Sequence, residues 1–213
     1  MPRLKQVARD AAPPQVQQIY DFIFGAGRDP VAEPGTETGT PGNWWTVFAL
    51  VPDALTHAVA GFAFYRSKSR LLDPKLRELG QTRAGWARGS QFVFSQHCKA
   101  SRSAGLSDAQ VDAIPAWQTA TVFSPLERAV LAYTDALVRD GGRVADGVFA
   151  ALRDGGLSDE EILELTYIVC TYEMHATICR ALRLEYDDVD ERVVEILGAD
   201  GARTLDAMRR VDR

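Results

Sequence analysis

Apolar residues recur along most of the chain at the spacing of an α-helix. Leu126, Val130, Tyr133 and Leu137 follow one another at steps of four, three and four residues, which places them on one helical face. A second stripe of the same kind runs through residues 162–176. We find no segment that alternates with the period of two typical of a β-strand, so the pattern predicts an all-α protein.

Helix starts are marked by capping signals. Asp73 is followed by proline, while Ser107, Ser124 and Ser158 each precede Gln or Glu by three positions, the spacing of a capping box. These boundaries, combined with the apolar spacing, predict ten helices. The predicted helices cover residues 14–24, 43–51, 53–70, 74–88, 91–104, 108–117, 125–140, 144–154, 159–183 and 188–197. The helix at 159–183 is apolar around much of its circumference, so we expect it to run through the core.

Six of the ten prolines lie at or before Pro41, so helix breakers are concentrated near the start of the chain. Residues 25–43 are too rich in Gly, Pro and Thr to be ordered by burial, and we interpret them as a passive linker. A lid, or an arm that reaches a neighbouring subunit, is the alternative. The predicted organisation is an N-terminal helix and flexible loop in residues 1–42, a helical domain in residues 43–198 and a tail in residues 199–213.

Composition excludes several classes of protein. The 213 residues include 24 basic and 29 acidic side chains, and the basic ones do not form a block. A nucleic-acid partner is therefore not expected. Three cysteines, Cys98, Cys170 and Cys179, form no disulfide framework and favour a reducing compartment. The first residues lack an apolar signal region, and no apolar run reaches the roughly 18 residues of a membrane span. We therefore expect a cytoplasmic protein without a membrane partner.

Candidate chemistry is concentrated around one predicted helix pair. Glu78 lies near the start of the helix predicted at 74–88, and His97 lies in the next helix, after a corner marked by Gly89. Antiparallel packing of the two helices would bring this carboxylate and this imidazole together.

At these residues the sequence resembles the carboxymuconolactone decarboxylase and alkylhydroperoxidase D-like family. The likeness extends from about Asn43 to Asp188 and includes the phrases LRELGQTRAGWARGSQFVFSQH and FSPLERAVLAYTDALVRDG. It implies an all-α, alkylhydroperoxidase D-like helical bundle that assembles as a homo-oligomer, a trimer or hexamer. It also implies an active site at the Glu-to-His helix pair, close to a subunit interface.

The sequence departs from this family at the residues that perform redox chemistry. In redox-active members a Glu is followed by Cys twelve positions later, by a second Cys fifteen positions later and by His nineteen positions later. The resemblance places these four positions at Glu78, Ser90, Val93 and His97. Serine and valine cannot form and resolve a sulfenic acid, so disulfide-cycling peroxidase activity is not expected.

The remaining equipment suits acid–base chemistry. The decarboxylase branch of the family implies a small carboxylated substrate, with His97 as the proton carrier and Glu78 as its partner. Ser90, Gln91 and Gln96 are candidates for hydrogen bonds to a substrate carboxylate or enolate. The prediction is therefore a decarboxylase-like lyase that uses no thiol. Neither a metal nor a cofactor is expected.

Alternatives remain open at this point. A lone histidine on an apolar face is often a packed core residue, and Ser90 could be only a helix cap. Cys98 could support a single-cysteine reductase, although a buried structural role is the alternative for it. A non-catalytic binding or assembly protein is the third possibility.

Two further groups fit structural roles. His175 and Cys179 are one helical turn apart, and we interpret them as packed residues rather than metal ligands, since no third ligand lies near them in the sequence. The acidic run within residues 185–191 is interpreted as a solvated N-terminal region of a helix.

Overall fold

A computed structural model describes residues 1–188 and 193–198, together with residues 201 and 203. Within these residues it contains helices and no strands, which confirms the predicted all-α class. The α-helices are α1 (Pro14–Phe24), α2 (Asn43–Phe48), α3 (Pro52–Arg66), α4 (Pro74–Ala87), α5 (Gln91–Ser103), α6 (Asp108–Ala113), α7 (Pro125–Arg139), α8 (Asp146–Asp154) and α9 (Asp159–Leu182). Short 3-10 helices cover Arg9–Ala11 and Ile114–Ala116.

The capping predictions are confirmed. Ser107, Ser124 and Ser158 each form a complete capping box, and the Asp73 side chain accepts a hydrogen bond from the backbone nitrogen of Lys75. The helix predicted at 188–197 is wrong over residues 193–197, which have no regular secondary structure, whereas residues 189–192 lie outside the described part. No helix of the described part is both long enough and apolar enough to cross a membrane.

Helix α4 lies at the centre of the fold and packs against α5, α7 and α9. One apolar core forms around α4 to α8 and the first half of α9. A second core joins α1, α2 and α3 to the part of α9 that begins at Ile168, where Tyr172 and Ala176 are also buried. The long helix α9 therefore connects the two cores, and α4 and α5 lie beside it.

Helix α9 runs through the core as expected on one face, and its other face is exposed. Leu163, Tyr167 and Met174 are 69%, 55% and 47% exposed, and Cys170 on the same face is also exposed. The opposite face is buried at Leu165, as the apolar stripe predicts.

Two glycines set the geometry of the corner between α4 and α5. Gly89 has a φ of 67°, a left-handed conformation that glycine adopts without strain. Gly85 faces the start of α5, where an added Cβ atom would lie 2.7 Å from the backbone nitrogen of Phe94. Only hydrogen at this position allows the two helices to approach so closely, and this approach positions Glu78 and His97.

Residues 193–198, which we call the strap, run along α5. The Ser95 hydroxyl donates to the carbonyl of Ile196 at 2.9 Å and accepts from its nitrogen at 2.8 Å. One turn earlier, the Gln91 amide makes the same two kinds of bond with the backbone of Val194. Arg102 binds both carboxylate oxygens of Glu195, at 2.6 and 2.9 Å. The side chains of α5 therefore bind the strap much as a neighbouring strand would.

The segment that the sequence favours as a passive linker has hydrogen bonds of its own. The hydroxyl of Thr36 lies 2.9 Å from that of Thr40, and the Arg28 guanidinium donates to the carbonyls of Glu33 and Pro34. Its Gly39 carbonyl also accepts from the Tyr186 hydroxyl at 2.6 Å. These bonds connect the segment to the chain that follows α9.

The interpretation of the acidic run as solvated is wrong for Glu185 and Asp187, which are 5% and 3% exposed. Glu185 accepts from the backbone nitrogens of Gly42 and Trp44 at the start of α2. Asp187 accepts from the Gln91 nitrogen at the start of α5. Each carboxylate thus satisfies backbone donors that a helix start leaves free, which is why burial is tolerated.

Candidate active site

Glu78 on α4 and His97 on α5 form a buried hydrogen-bonded pair. Nδ1 of His97 lies 2.7 Å from Oε2 of Glu78, and the two residues are 5% (His97) and 1% (Glu78) exposed. The predicted meeting of these two side chains is therefore present in the structure. Their short separation follows from the close approach of α4 and α5 at Gly85.

The Glu78 carboxylate is held in its ionised form by several donors. Nε and Nη2 of Arg77 donate to Oε1 at 3.1 and 3.0 Å. The Gln81 amide, with its nitrogen turned towards Glu78, donates to both carboxylate oxygens at 3.1 and 3.2 Å. Burial raises the pKa of Glu78, but His97 and Arg77 lower it by more, so the pKa lies below its ordinary value.

This environment fixes which nitrogen of His97 carries the proton. An ionised carboxylate only accepts hydrogen bonds, so Nδ1 of His97 must be the donor to Glu78. Nε2 is then left to exchange a proton, as an acceptor in the neutral ring and as a donor in the charged ring. No described residue forms a hydrogen bond with Nε2 of His97.

Tyr172 on α9 forms one wall of the site. Its ring meets the His97 ring edge-on, with centroids 4.3 Å apart, and its hydroxyl donates to that of Tyr65 on α3 at 2.6 Å. Arg77, which binds Glu78, also donates to the Tyr65 carbonyl at 3.0 Å. Helices α3, α4, α5 and α9 therefore all contribute to the surroundings of His97.

Of the three predicted substrate-binding residues, two are bonded within the protein. The Ser90 hydroxyl donates to Asp187 at 2.9 Å and caps α5 by accepting from the Val93 nitrogen, while the Gln91 amide binds the strap. The Gln96 amide nitrogen is buried without a hydrogen-bond partner in the described part of the chain. Gln96 is thus the one of the three that retains an unused donor.

The cysteines do not suit thiol chemistry. Cys98 is 1% exposed and Cys179 is fully buried, and burial raises the pKa of both thiols well above the ordinary value. The exposed Cys170 also has a pKa raised by partial burial. Since the thiolate is the reactive form, none of the three is activated as a nucleophile.

The remaining histidines lie in opposite environments. His57 on α3 is exposed, whereas His175 is 4% exposed and packs against Trp44, Phe62 and Tyr172. Burial, followed by the charge of His97, lowers the pKa of His175 to about 4. No group of three or more metal-ligating side chains occurs among the residues that the structure describes.

Sequence reasoning missed the contributions of Tyr65, Tyr172 and Arg77. The two tyrosines are 107 residues apart and lie in apolar stripes, where an aromatic residue resembles any core residue. Arg77 next to Glu78 resembles half of a surface ion pair. No signal in one sequence separates these roles from ordinary packing.

Residues 53–136 match the model of the carboxymuconolactone decarboxylase family, a range that contains both Glu78 and His97. The match confirms the resemblance stated for the sequence. No curated protein matches the chain.

Several solved structures share the fold. A protein of unknown function from Agrobacterium tumefaciens, whose suggested role is antioxidant defence of the AhpD type, is 28% identical. The match covers 70% of this chain and 96% of that one, with a TM-score of 0.57. An uncharacterised peroxidase-related protein from Ralstonia eutropha, described as an alkylhydroperoxidase AhpD core, is 18% identical, with a TM-score of 0.69 over 88% of this chain and 93% of that chain.

A third structure is a cysteine-to-alanine variant of the debrominase Bmp8 in complex with 2,3,4-tribromopyrrole. It is 17% identical, with a TM-score of 0.65 over 98% of this chain and 100% of that chain. These structures confirm the AhpD-like fold that the resemblance implied. The predicted oligomer, which no partner chain tests, stays a prediction.

Proposed function

We propose that this chain, whose residues 53–136 match the carboxymuconolactone decarboxylase family, is an acid–base enzyme that acts on a small carboxylated molecule without using a thiol. The observation that carries the proposal is the buried bond between Glu78 and Nδ1 of His97, which leaves Nε2 unbonded to any described residue. A buried carboxylate that orients a histidine is a common arrangement for proton transfer.

The reaction that suits this pair best is decarboxylation of a lactone acid. The carbon–carbon bond to the carboxylate breaks, carbon dioxide leaves, and the electron pair moves into the conjugated carbonyl to form an enolate. Nε2 of the protonated His97 then gives its proton to the carbon that lost the carboxylate. The neutral imidazole regains a proton from water, so the cycle closes without an oxidant or reductant.

Glu78 has two roles in this scheme. Its hydrogen bond holds the His97 ring in one orientation, and it keeps Nδ1 as the donor so that the mobile proton is on Nε2. Arg77 and Gln81 keep the carboxylate ionised while it is buried. Glu78 therefore remains an anion throughout the cycle.

The charge near the pair supports a carboxylated substrate. Arg66 at the end of α3 is exposed and forms no ion pair with a described carboxylate. Its Cζ atom lies 5.6 Å from the ring centroid of Tyr65. Desolvation by the neighbouring protein atoms lowers the pKa of Arg66, but Tyr65, Tyr172 and Glu78 raise it by more, so the guanidinium stays charged. Arg66 is a candidate to bind the substrate carboxylate, and Gln96 is a candidate to donate to it or to the enolate.

A thiol-dependent reductase is not favoured, although some structures that share the fold are described as peroxidase-related. Ser90 and Val93 stand where redox-active members carry a cysteine pair, and Cys98 is buried with a raised pKa. The remaining alternative is a member of the family that binds a small molecule without transforming it.

The test is release of carbon dioxide from a panel of lactone acids by the purified protein. We expect His97→Gln to lower kcat by about 100-fold to 10,000-fold, since general acid–base catalysis contributes about that much. We expect Glu78→Gln to lower kcat with a changed pH profile, and Glu160→Gln, at an exposed carboxylate of α9, to leave it unchanged. Wild-type rates in the first two variants would reject the assigned roles, and no release from any lactone acid would favour the binding protein.

A further inference from the structure

His175 is a buried histidine whose ring nitrogens have no hydrogen-bond partner in the described chain. It lies three residues after Tyr172 on α9 and is 4% exposed. No bond joins either ring nitrogen to a described residue. Neither ring nitrogen is among the described side-chain atoms that are fully buried without a partner, so both keep a small accessible area at which a ligand can bond.

The immediate surroundings of His175 offer little that would satisfy it. The ring centroids of Phe62, Tyr172 and Trp44 lie 5.3, 5.7 and 5.9 Å from that of His175. The hydroxyl of Tyr172, one of these three residues, is already bonded to Tyr65. The aromatic walls thus hold the imidazole in place and leave its nitrogens available.

His175 belongs to the same site as His97. The Tyr172 ring contacts both imidazoles, with centroid distances of 4.3 Å to His97 and 5.7 Å to His175. The charge of His97 is close enough to lower the pKa of His175, which stands at about 4. His175 is consequently neutral near pH 7, with one ring nitrogen as a donor and the other as an acceptor.

A neutral imidazole that keeps its proton suits a different task from one that transfers a proton. The neutral ring donates a hydrogen bond to an oxygen that gains negative charge but does not give up its proton, so it stabilises an enolate without quenching it. Nε2 of His97, coupled to Glu78, is the group that exchanges the proton. The two histidines therefore divide the tasks that a decarboxylation requires.

We propose that His175 is a substrate-binding residue, whose ring N–H donates to the carbonyl oxygen that becomes negative as carbon dioxide leaves. This inference rests on the proposed function and adds to it the group that binds the enolate oxygen. It also narrows the substrate class to carboxylic acids with a carbonyl conjugated to the carbon that loses the carboxylate.

The first test uses ring-nitrogen NMR spectra of ¹⁵N-labelled protein with γ-butyrolactone carboxylate as the probe. The chain has three histidines, so single substitutions by glutamine assign all signals, with the exposed His57 as the internal reference. We expect the probe to shift signals of both His97 and His175 and to leave His57 unchanged. A shift at His97 alone would overturn the role of His175 and leave the proposed function intact, whereas no shift at either would count against both.

The second test separates hydrogen bonding from packing. Phenylalanine at position 175 keeps an aromatic ring but no nitrogen, while glutamine keeps a donor and loses the ring. If His175 binds substrate, His175→Phe lowers kcat for a turned-over lactone acid by about 10-fold to 100-fold, and His175→Gln recovers part of it. A packing role predicts the reverse order in both activity and Tm, and that order would overturn the inference.

Discussion

Gly85 on α4 lies directly against Phe94 on α5, so closely that an added Cβ atom would stand 2.7 Å from the Phe94 nitrogen and 2.8 Å from Cγ1 of Val93. Because backbone cannot move aside as a side chain can, the contact sets the separation of the two helices that carry Glu78 and His97. The hydrogen-bond distance between Glu78 and His97 is thus determined partly by Gly85, a residue without a side chain.

Gly85→Ala is therefore expected to destabilise the protein by about 1–3 kcal/mol, the usual cost of overpacking a close contact. It should also lengthen the hydrogen bond between Glu78 and His97, which a changed ¹⁵N chemical shift of Nδ1 of His97 would report. Gly147→Ala is the matched control, because this helical glycine has open space around it and alanine is the better helix former by about 1 kcal/mol. Equal stability changes in chemical denaturation for the two variants would contradict the steric argument.

Glu185 predicts a specific dependence of stability on pH. Burial raises the pKa of Glu185 to about 7 and that of Asp187 to about 6, from ordinary values of 4.5 and 3.8. Since the folded protein binds these protons more tightly than the unfolded chain does, their contribution to the free energy of unfolding increases as the pH falls from about 8 towards 5. Glu78 acts in the opposite sense, because its pKa is lowered and its contribution is lost as the pH falls below 4.5.

We expect Glu185→Gln to reduce the increase in the free energy of unfolding between pH 8 and pH 5. This difference between two pH values is the prediction, and it does not depend on how the substitution changes stability at any single pH. Urea denaturation at pH 8, 6 and 5 measures this slope, with Glu160→Gln as a control at an exposed carboxylate. An unchanged slope in Glu185→Gln would show that the buried carboxyl does not titrate in this range.

The strap predicts the reactivity of Cys98. A cavity of about 270 Å³ lies between Cys98 and the strap. Its lining residues are Phe94 and Cys98 of α5, Val111, Asp112 and Pro115, and Val193, Val194 and Glu195 of the strap. Ser95→Ala removes two hydrogen bonds to Ile196, each contributing about 1 kcal/mol, so the strap should open about 30-fold more often. Alkylation of Cys98 by iodoacetamide should accelerate accordingly.

The chain supplies both controls for this measurement. Cys170 is exposed and should react at the same rate in wild type and variant, while Cys179 is buried in the second core and should stay protected. Peptide mapping resolves the three sites. Equal acceleration at Cys98 and Cys179 would indicate global destabilisation and contradict a local opening of the strap.

Sequence reasoning succeeded where the signal is local. The capping boxes at Ser107, Ser124 and Ser158 depend on residues three positions apart, so the sequence displays them directly. The pairing of Glu78 with His97 spans 19 residues but is set by two consecutive helices and one short corner, and the family spacing pointed to the same pair.

Sequence reasoning failed where a side chain binds backbone atoms or residues far away in the sequence. Glu185 and Asp187 bind backbone nitrogens at helix starts more than 90 residues away, and composition gives no sign of such donors. Tyr172 and His175 lie in an apolar stripe of α9, so their contacts with α3 and α5 emerge only when the two cores meet. Gln91 was predicted to bind substrate, and nothing in the sequence indicates that its amide binds the backbone of the strap instead.

The short segment after α9 connects two regions that are far apart in the sequence. Because Glu185 holds the first amides of α2 and Asp187 those of α5, one local excursion of this segment frees both helix starts at once. Amide hydrogens at Trp44 and Gln91 should then exchange with deuterium as one cooperative unit, although 47 residues separate them. Helix α5, which carries His97, would thus share its slow fluctuations with the aromatic-rich N-terminal part of the chain.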